Sequence, residues 1–169
     1  MFLDFAKWVA STSASTDVQS ILWLTPLLQS IHILMIGVVV VVILMLTLRV
    51  LGYVATEETF EAVWKRYTPW MWGAIVVMAL TGIVLSIGEP VREASAMSFW
   101  VKMALIVIGI ASALAWHNAL RPVTSVGTAG FSGGAKLVAI ATIVLWLFVI
   151  FLGRSIAYDK EVWESLHLG

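Results

Sequence analysis

The chain has 169 residues, 61% of them hydrophobic and 12% charged, with ten Lys plus Arg against ten Asp plus Glu. A mean hydropathy of +1.00 lies outside the range of soluble domains and inside the membrane class, and the zero formal charge gives no basis for nucleic acid as a partner. The chain contains no Cys, which excludes disulfides, thiolate metal sites, iron–sulfur clusters and covalent c-type haem attachment.

Residues 2 to 10 place Phe2, Phe5, Ala6 and Val9 at helical spacing with Asp4 and Lys7 between them, the pattern of a short helix lying in the headgroup region. This terminus has no continuous apolar core, so it reads as a retained segment and not as a signal peptide. The polar run STSAST that follows reads as a linker. The first span covers 26–51, with Thr25 as N-cap, Pro26 as first helical residue and Gly52 as the stop. His32 falls early in this span and Arg49 late, and its Val-rich middle carries no polar side chain.

A solvated loop over 53–68 holds Glu57, Glu58, Glu61, Lys65 and Arg66. Pro69 opens the second span, 69–88, on which Gly82 and Ser86 form a small-xxx-small pair suited to helix contact. The third span, 99–120, has Ser98 as its cap and Pro122 as its terminator. A Gly/Ser/Thr loop leads to the fourth span, 135–152, bounded by Gly153, and the tail with Trp163 and Leu166 reads as a second interfacial segment. Spans of these lengths match a hydrocarbon core of ~30 Å. Short loops then dictate an all-α, up-down-up-down four-helix bundle embedded in the lipid bilayer.

The aromatic residues fit that threading. Trp23, Trp100, Tyr158 and Trp163 fall on the side of the termini, while Tyr53, Trp64, Tyr67, Trp70 and Trp116 fall on the other, leaving Trp146 in mid-membrane. Lys and Arg divide evenly between the two sides. Discounting Lys102 as intramembrane and Lys160 as a tail residue gives the excess to the side of the odd-numbered loops, which places both termini outside the cytoplasm.

Chemistry rests on a few ionisable residues in apolar surroundings. A charge inside hydrocarbon costs at least ~2.5 to 3.5 kcal/mol, so such residues face the bundle interior and are functional candidates. Lys102, Gly109 and Ala113 share one stripe of the third span, with His117 turned only ~60° from Lys102. That stripe is ionisable at its ends and flat between them, so it either receives a neighbouring helix or leaves room for a flat ligand. His32 and His117 are the candidate metal ligands. By residue count His32 and Lys102 lie at similar depth, whereas His117 lies ~22 Å further along the axis, an arrangement that disfavours one haem gripped between both imidazoles.

Three readings of the histidines stand at this point. One is a b-type haem held by a single His, or by His32 together with a partner on the second or third span, with Gly109, Ala113 or Gly82 making space for the ring and Arg49 available to a propionate. A second is copper held by His32 with Met35, Met97 or Met103. In the third, the imidazoles only hydrogen-bond between helices or to headgroups, and Lys102 snorkels to the surface. No nucleophile–base–orienter set, phosphate loop or metalloprotease spacing is present, and all ten acids read as tail or loop residues, which argues against a hydrolase and against a carboxylate proton relay.

The succession His32, Leu48-Arg49-Val50-Leu51-Gly52, Pro69-Trp70, Thr81-Gly82, Phe99, Lys102 and His117 resembles an uncharacterised bacterial family of four-span membrane proteins whose pattern reads H…DLRLLG…PW…TG…FxxK…FH. The chain departs from that pattern at Thr47, where the family has Asp, at Ser112, where Asn is usual, and at Trp116 in place of Phe. The resemblance implies a multi-pass protein of the bacterial inner membrane, and no settled activity. A more distant likeness is to small membrane protoporphyrinogen oxidases and copper-resistance membrane proteins, which place a His early in span one and, in the oxidases, a Lys early in span three. The Trp-x-x-Gly that follows the oxidase His is absent, so the activity does not carry over.

The expectation is therefore a haem-binding membrane protein, or a membrane subunit of an electron-transfer assembly, in a larger complex or a homo-oligomer. The rivals are an accessory subunit without cofactor, a porphyrin-oxidising enzyme and a copper-binding protein.

Overall fold

The computed structural model describes residues 2–120, 122–123 and 131–159. The order of elements is α1 (Phe2–Ala10), α2 (Ser13–Ser20), α3 (Leu24–Leu51), α4 (Phe60–Gly88), α5 (Pro90–Ser95), α6 (Met97–Leu120), α7 (Gly133–Ser155) and a 3₁₀ turn, Ile156–Tyr158. Four of these helices, α3, α4, α6 and the α7 segment, are long and apolar enough to cross a membrane. They pack up-down-up-down as an all-α bundle. Helix α3 lies between α4 and α7, α6 lies against α7, and of the pairs adjacent around the bundle α4 and α6 touch least.

Where the observed helices differ from the sequence expectation, tertiary packing is the cause. Helix α4 begins at Phe60 and not at Pro69, because Thr59 caps it by accepting from the Ala62 N–H at 3.3 Å. Its first two turns also bury Phe60, Val63 and Trp64 in the core. Pro69 therefore lies inside a helix. Pro is tolerated there because tertiary packing holds the helix together around it, and next to it the Thr68 hydroxyl donates to the Trp64 carbonyl at 2.6 Å. Glu61 consequently belongs to α4, and Glu93 to α5.

The STSAST run is not an extended linker. It enters α2, with Thr12 as N-cap, and α2 is fastened to the end of α4 by Gln19 Nε2 donating to the Gly88 carbonyl at 2.8 Å. Helix α3 starts at Leu24, two residues before Pro26, and no side chain caps it. Its end is as expected. Gly52 adopts φ 88°, a left-handed conformation costly for any residue with a Cβ, and the Gly52 and Tyr53 N–H groups both donate to the Leu48 carbonyl at 2.9 Å, closing the helix.

Ser98 does not cap α6. The helix starts one residue earlier, and the Asp159 carboxylate accepts from the Met97 N–H at 3.0 Å and the Ser98 N–H at 2.8 Å, so the end of the fourth span satisfies the first turn of the third. Trp64 and Trp116 are buried at the end of the bundle opposite the termini, around Phe60, and are not part of a lipid-facing belt. The expected interfacial tail beyond 159, with Trp163, and most of the α6–α7 loop lie outside the described residues.

Candidate functional site

Polar side chains inside the bundle gather in two layers. The first lies toward the termini and draws on all four long helices. His32 of α3 reaches α4, where its Nδ1 lies 2.8 Å from Thr81 Oγ1. The ring rests on Gly82: a Cβ there would stand 3.6 Å from His32 Cε1. Lys102 of α6 runs past α7, its Cδ 3.7 Å from where a Cβ on Gly153 would be. Its ammonium lies 5.3 Å from the centre of the Phe99 ring, at the end of the bundle that also holds Glu93 of α5. Glu93 in turn accepts from Ser86 Oγ.

Thr81 Oγ1 also lies 2.9 Å from the Val77 carbonyl and 3.2 Å from the Met78 carbonyl, the back-bonding common for Thr on a helix. When its proton goes to one of those carbonyls, Oγ1 accepts from His32 Nδ1–H, and the neutral ring carries its lone pair on Nε2, which has no hydrogen-bond partner among the described residues. Orientation of one ring nitrogen by a hydrogen bond, leaving the other as donor of a lone pair, is how metal-ligating His residues are held.

The second layer lies at the opposite end, about 25 Å away by the 17 residues between His32 and Arg49 at ~1.5 Å each. Arg49 is fully buried. Its Nε and Nη2 donate to the Glu58 carbonyl at 3.0 and 2.5 Å, and its guanidinium lies 5.1 Å from the centre of the Phe131 ring. The Glu58 carboxylate receives both Nη atoms of Arg66 at 2.9 and 2.5 Å, so the α3–α4 loop is pinned by two arginines through one residue. Thr47 bonds the Ala139 carbonyl of α7 at 3.3 Å. His117 stacks on Trp64 with ring centres 4.2 Å apart and planes 12° from parallel. Its Nε2 meets the Glu61 carboxylate at 2.8 Å, and Glu61 also pairs with Lys65 at 3.3 Å.

The residues singled out from the sequence are thus divided. His32 and Lys102 lie at the terminus end with separate partners, Thr81 and Phe99, whereas His117 and Arg49 share the other end with separate partners. A family model described as a family of unknown function (DUF6644) matches residues 19–159. The chain belongs to that family. No curated protein and no solved structure matches it. The DUF6644 match covers both polar layers and the Asp159 cap and leaves α1 outside.

Between the layers of this DUF6644 chain α6 packs closely on α7 at Gly109. A Cβ on Gly109 would meet Leu145 Cδ2 at 3.0 Å and the Trp146 indole at 3.3 Å, so the flat group lying on Gly109 is a side chain of α7, and Ala113 lies one turn beyond it. The Trp116 and Trp146 indole N–H groups are buried without an acceptor among the described residues. Among those residues no three His, Asp or Glu side chains converge as ligands.

Sequence reasoning missed Thr81 as the partner of His32, Glu61 as the partner of His117 and Asp159 as the cap of α6. The first had a signal in the adjacent Thr81-Gly82 pair, a hydroxyl and a space on one turn. The other two depended on knowing which ends of non-consecutive helices meet.

Proposed function

We propose that this protein binds a b-type haem through His32 and serves electron transfer in a bacterial inner membrane, with both termini outside the cytoplasm. The observation that carries the proposal is the half-buried imidazole held by Thr81, whose Nε2 has no partner among the described residues and lies at the end of the bundle that holds Lys102. His32 is the axial ligand in this reading, Thr81 sets its tautomer, Gly82 leaves room beside the ring, and Lys102 offsets propionate charge. The cofactor enters between α4 and α6, the two neighbouring helices that touch least. When bound, it supplies one-electron chemistry, and the chain contributes ligation, orientation and a dry surround. His117 is not a ligand here, because Glu61 already occupies its Nε2.

Purification in mild detergent followed by visible spectra in air and with dithionite tests this. The expected result is a Soret band with reducible α and β bands that is lost in His32→Ala and kept in His117→Ala. A colourless, folded protein from haem-replete cells overturns it.

A second reading is favoured by the filled space at Gly109 and by the satisfied Arg49 and His117. In it the chain is an accessory subunit whose polar layers only join helices. It requires the colourless result, no copper by elemental analysis and no turnover of protoporphyrinogen.

A further inference from the structure

Helix α1 divides its circumference into three sectors. At ~100° per residue, Ala6 and Ala10 form one, and Ala6 is buried, with 4% of its surface exposed, where α1 packs on α5. Phe2, Phe5 and Trp8, with Val9 among them, form the next, the three aromatic residues 64%, 63% and 62% exposed. Asp4 and Lys7 form the third. A helix at the edge of a water-soluble protein needs two faces, one for protein and one for water. A third, aromatic face of comparable width has no use in water, and it fits a helix lying where protein, water and lipid meet. Leu3, 46% exposed, sits on the boundary between the charged and protein-facing sectors.

The aromatic sector is continuous with the lipid-facing surface of the bundle. Phe2 touches Trp100 of α6 with ring centres 5.2 Å apart. Trp100, 44% exposed, and Trp23, 65% exposed, are the exposed indoles at the terminus end of α6 and α3. We propose that α1 is a monolayer anchor: Phe2, Phe5 and Trp8 insert into the boundary between headgroups and acyl chains of the leaflet on the side of the termini, while Asp4 and Lys7 face the aqueous phase. The tie from Gln19 to Gly88 holds the other end of the segment against α4, so α1 lies along the leaflet. The occupant of the face is phospholipid, and the proposal is independent of any cofactor.

The chain has no Cys, so single-Cys variants of the full-length protein give one spin label each. Phe5→Cys, Trp8→Cys and Lys7→Cys are labelled with a nitroxide, reconstituted in vesicles of phosphatidylethanolamine and phosphatidylglycerol, and examined for collision with oxygen and with a water-soluble nickel chelate. All three side chains are exposed, and circular dichroism confirms that the fold is kept. The expected result is severalfold less collision with nickel at 5 and 8 than at 7, with more oxygen collision at 5 and 8. Equal nickel access at the three positions overturns the proposal by putting the face in water. Exclusion of both reagents from 5 and 8 overturns it by showing that protein covers the face.

Discussion

Replacing Gly109 by Ala tests whether the middle of the bundle is filled by the protein itself. The added methyl would stand 3.0 Å from Leu145 Cδ2 and 3.3 Å from Trp146 Cε2 and Cζ2. The leucine tip can swing away, but the indole, 6% exposed, is buried against α6 and yields less readily. Overpacking of this kind costs about 1–3 kcal/mol. Restricting backbone freedom by Gly→Ala in a helix returns about 0.5–1 kcal/mol, so the overpacking reads in full, about 1–3 kcal/mol, only against a Gly→Ala change made where there is space. For a chain of this size that is a Tm about 2–12 °C below such a control, read by circular dichroism in mild detergent. Gly37→Ala and Gly73→Ala are the controls. Nothing lies within 4 Å of a Cβ at either position, so both retain the helix gain and melt at or above the parent. A Gly109→Ala protein that melts with these controls would refute the argument and mean that α6 and α7 stand further apart.

Thr81→Val removes the acceptor of His32 Nδ1–H while keeping the shape of the side chain. In the haem reading it weakens cofactor affinity about 10- to 100-fold, measured as Soret absorbance per protein during titration, with little change in helicity. Asp159→Ala leaves the Met97 and Ser98 N–H groups without their acceptor and costs about 0.5–2 kcal/mol; faster hydrogen exchange confined to the first turn of α6 is the expected signature. Glu61→Gln keeps a hydrogen-bond acceptor for His117 but removes the charge. The expected outcome is a small fall in Tm at low salt that shrinks as ionic strength rises, because the pair sits partly exposed at the membrane surface.

The fold was legible in the sequence because hydrocarbon imposes one rule on every span, namely that an apolar stretch of sufficient length becomes a helix. Where the outline slipped, at Pro69 and at STSAST, local propensity lost to burial of Phe60 and Trp64 and to the docking of α2 on α4. The site was legible in part. Counting residues placed His32 and Lys102 at one depth and His117 far from both, since rise per residue is a property of one helix and needs no partner. Counting could not show which residue on α4 takes the imidazole, because that depends on the relative axial shift and rotation of two helices. Arg49 shows the same limit. The missing Asp at Thr47 hid the fact that a backbone carbonyl, that of Glu58, accepts the guanidinium.

The cap on α6 bears on how the chain assembles. Asp159 follows the amide it binds by 62 residues, so during synthesis the third crossing leaves the ribosome long before the group that seals its leading turn exists. Until the fourth crossing has been laid down, the opening turn of α6, next to Lys102, stays unsealed and hydrated. The polar layer near the termini therefore closes last, after all four crossings are in place.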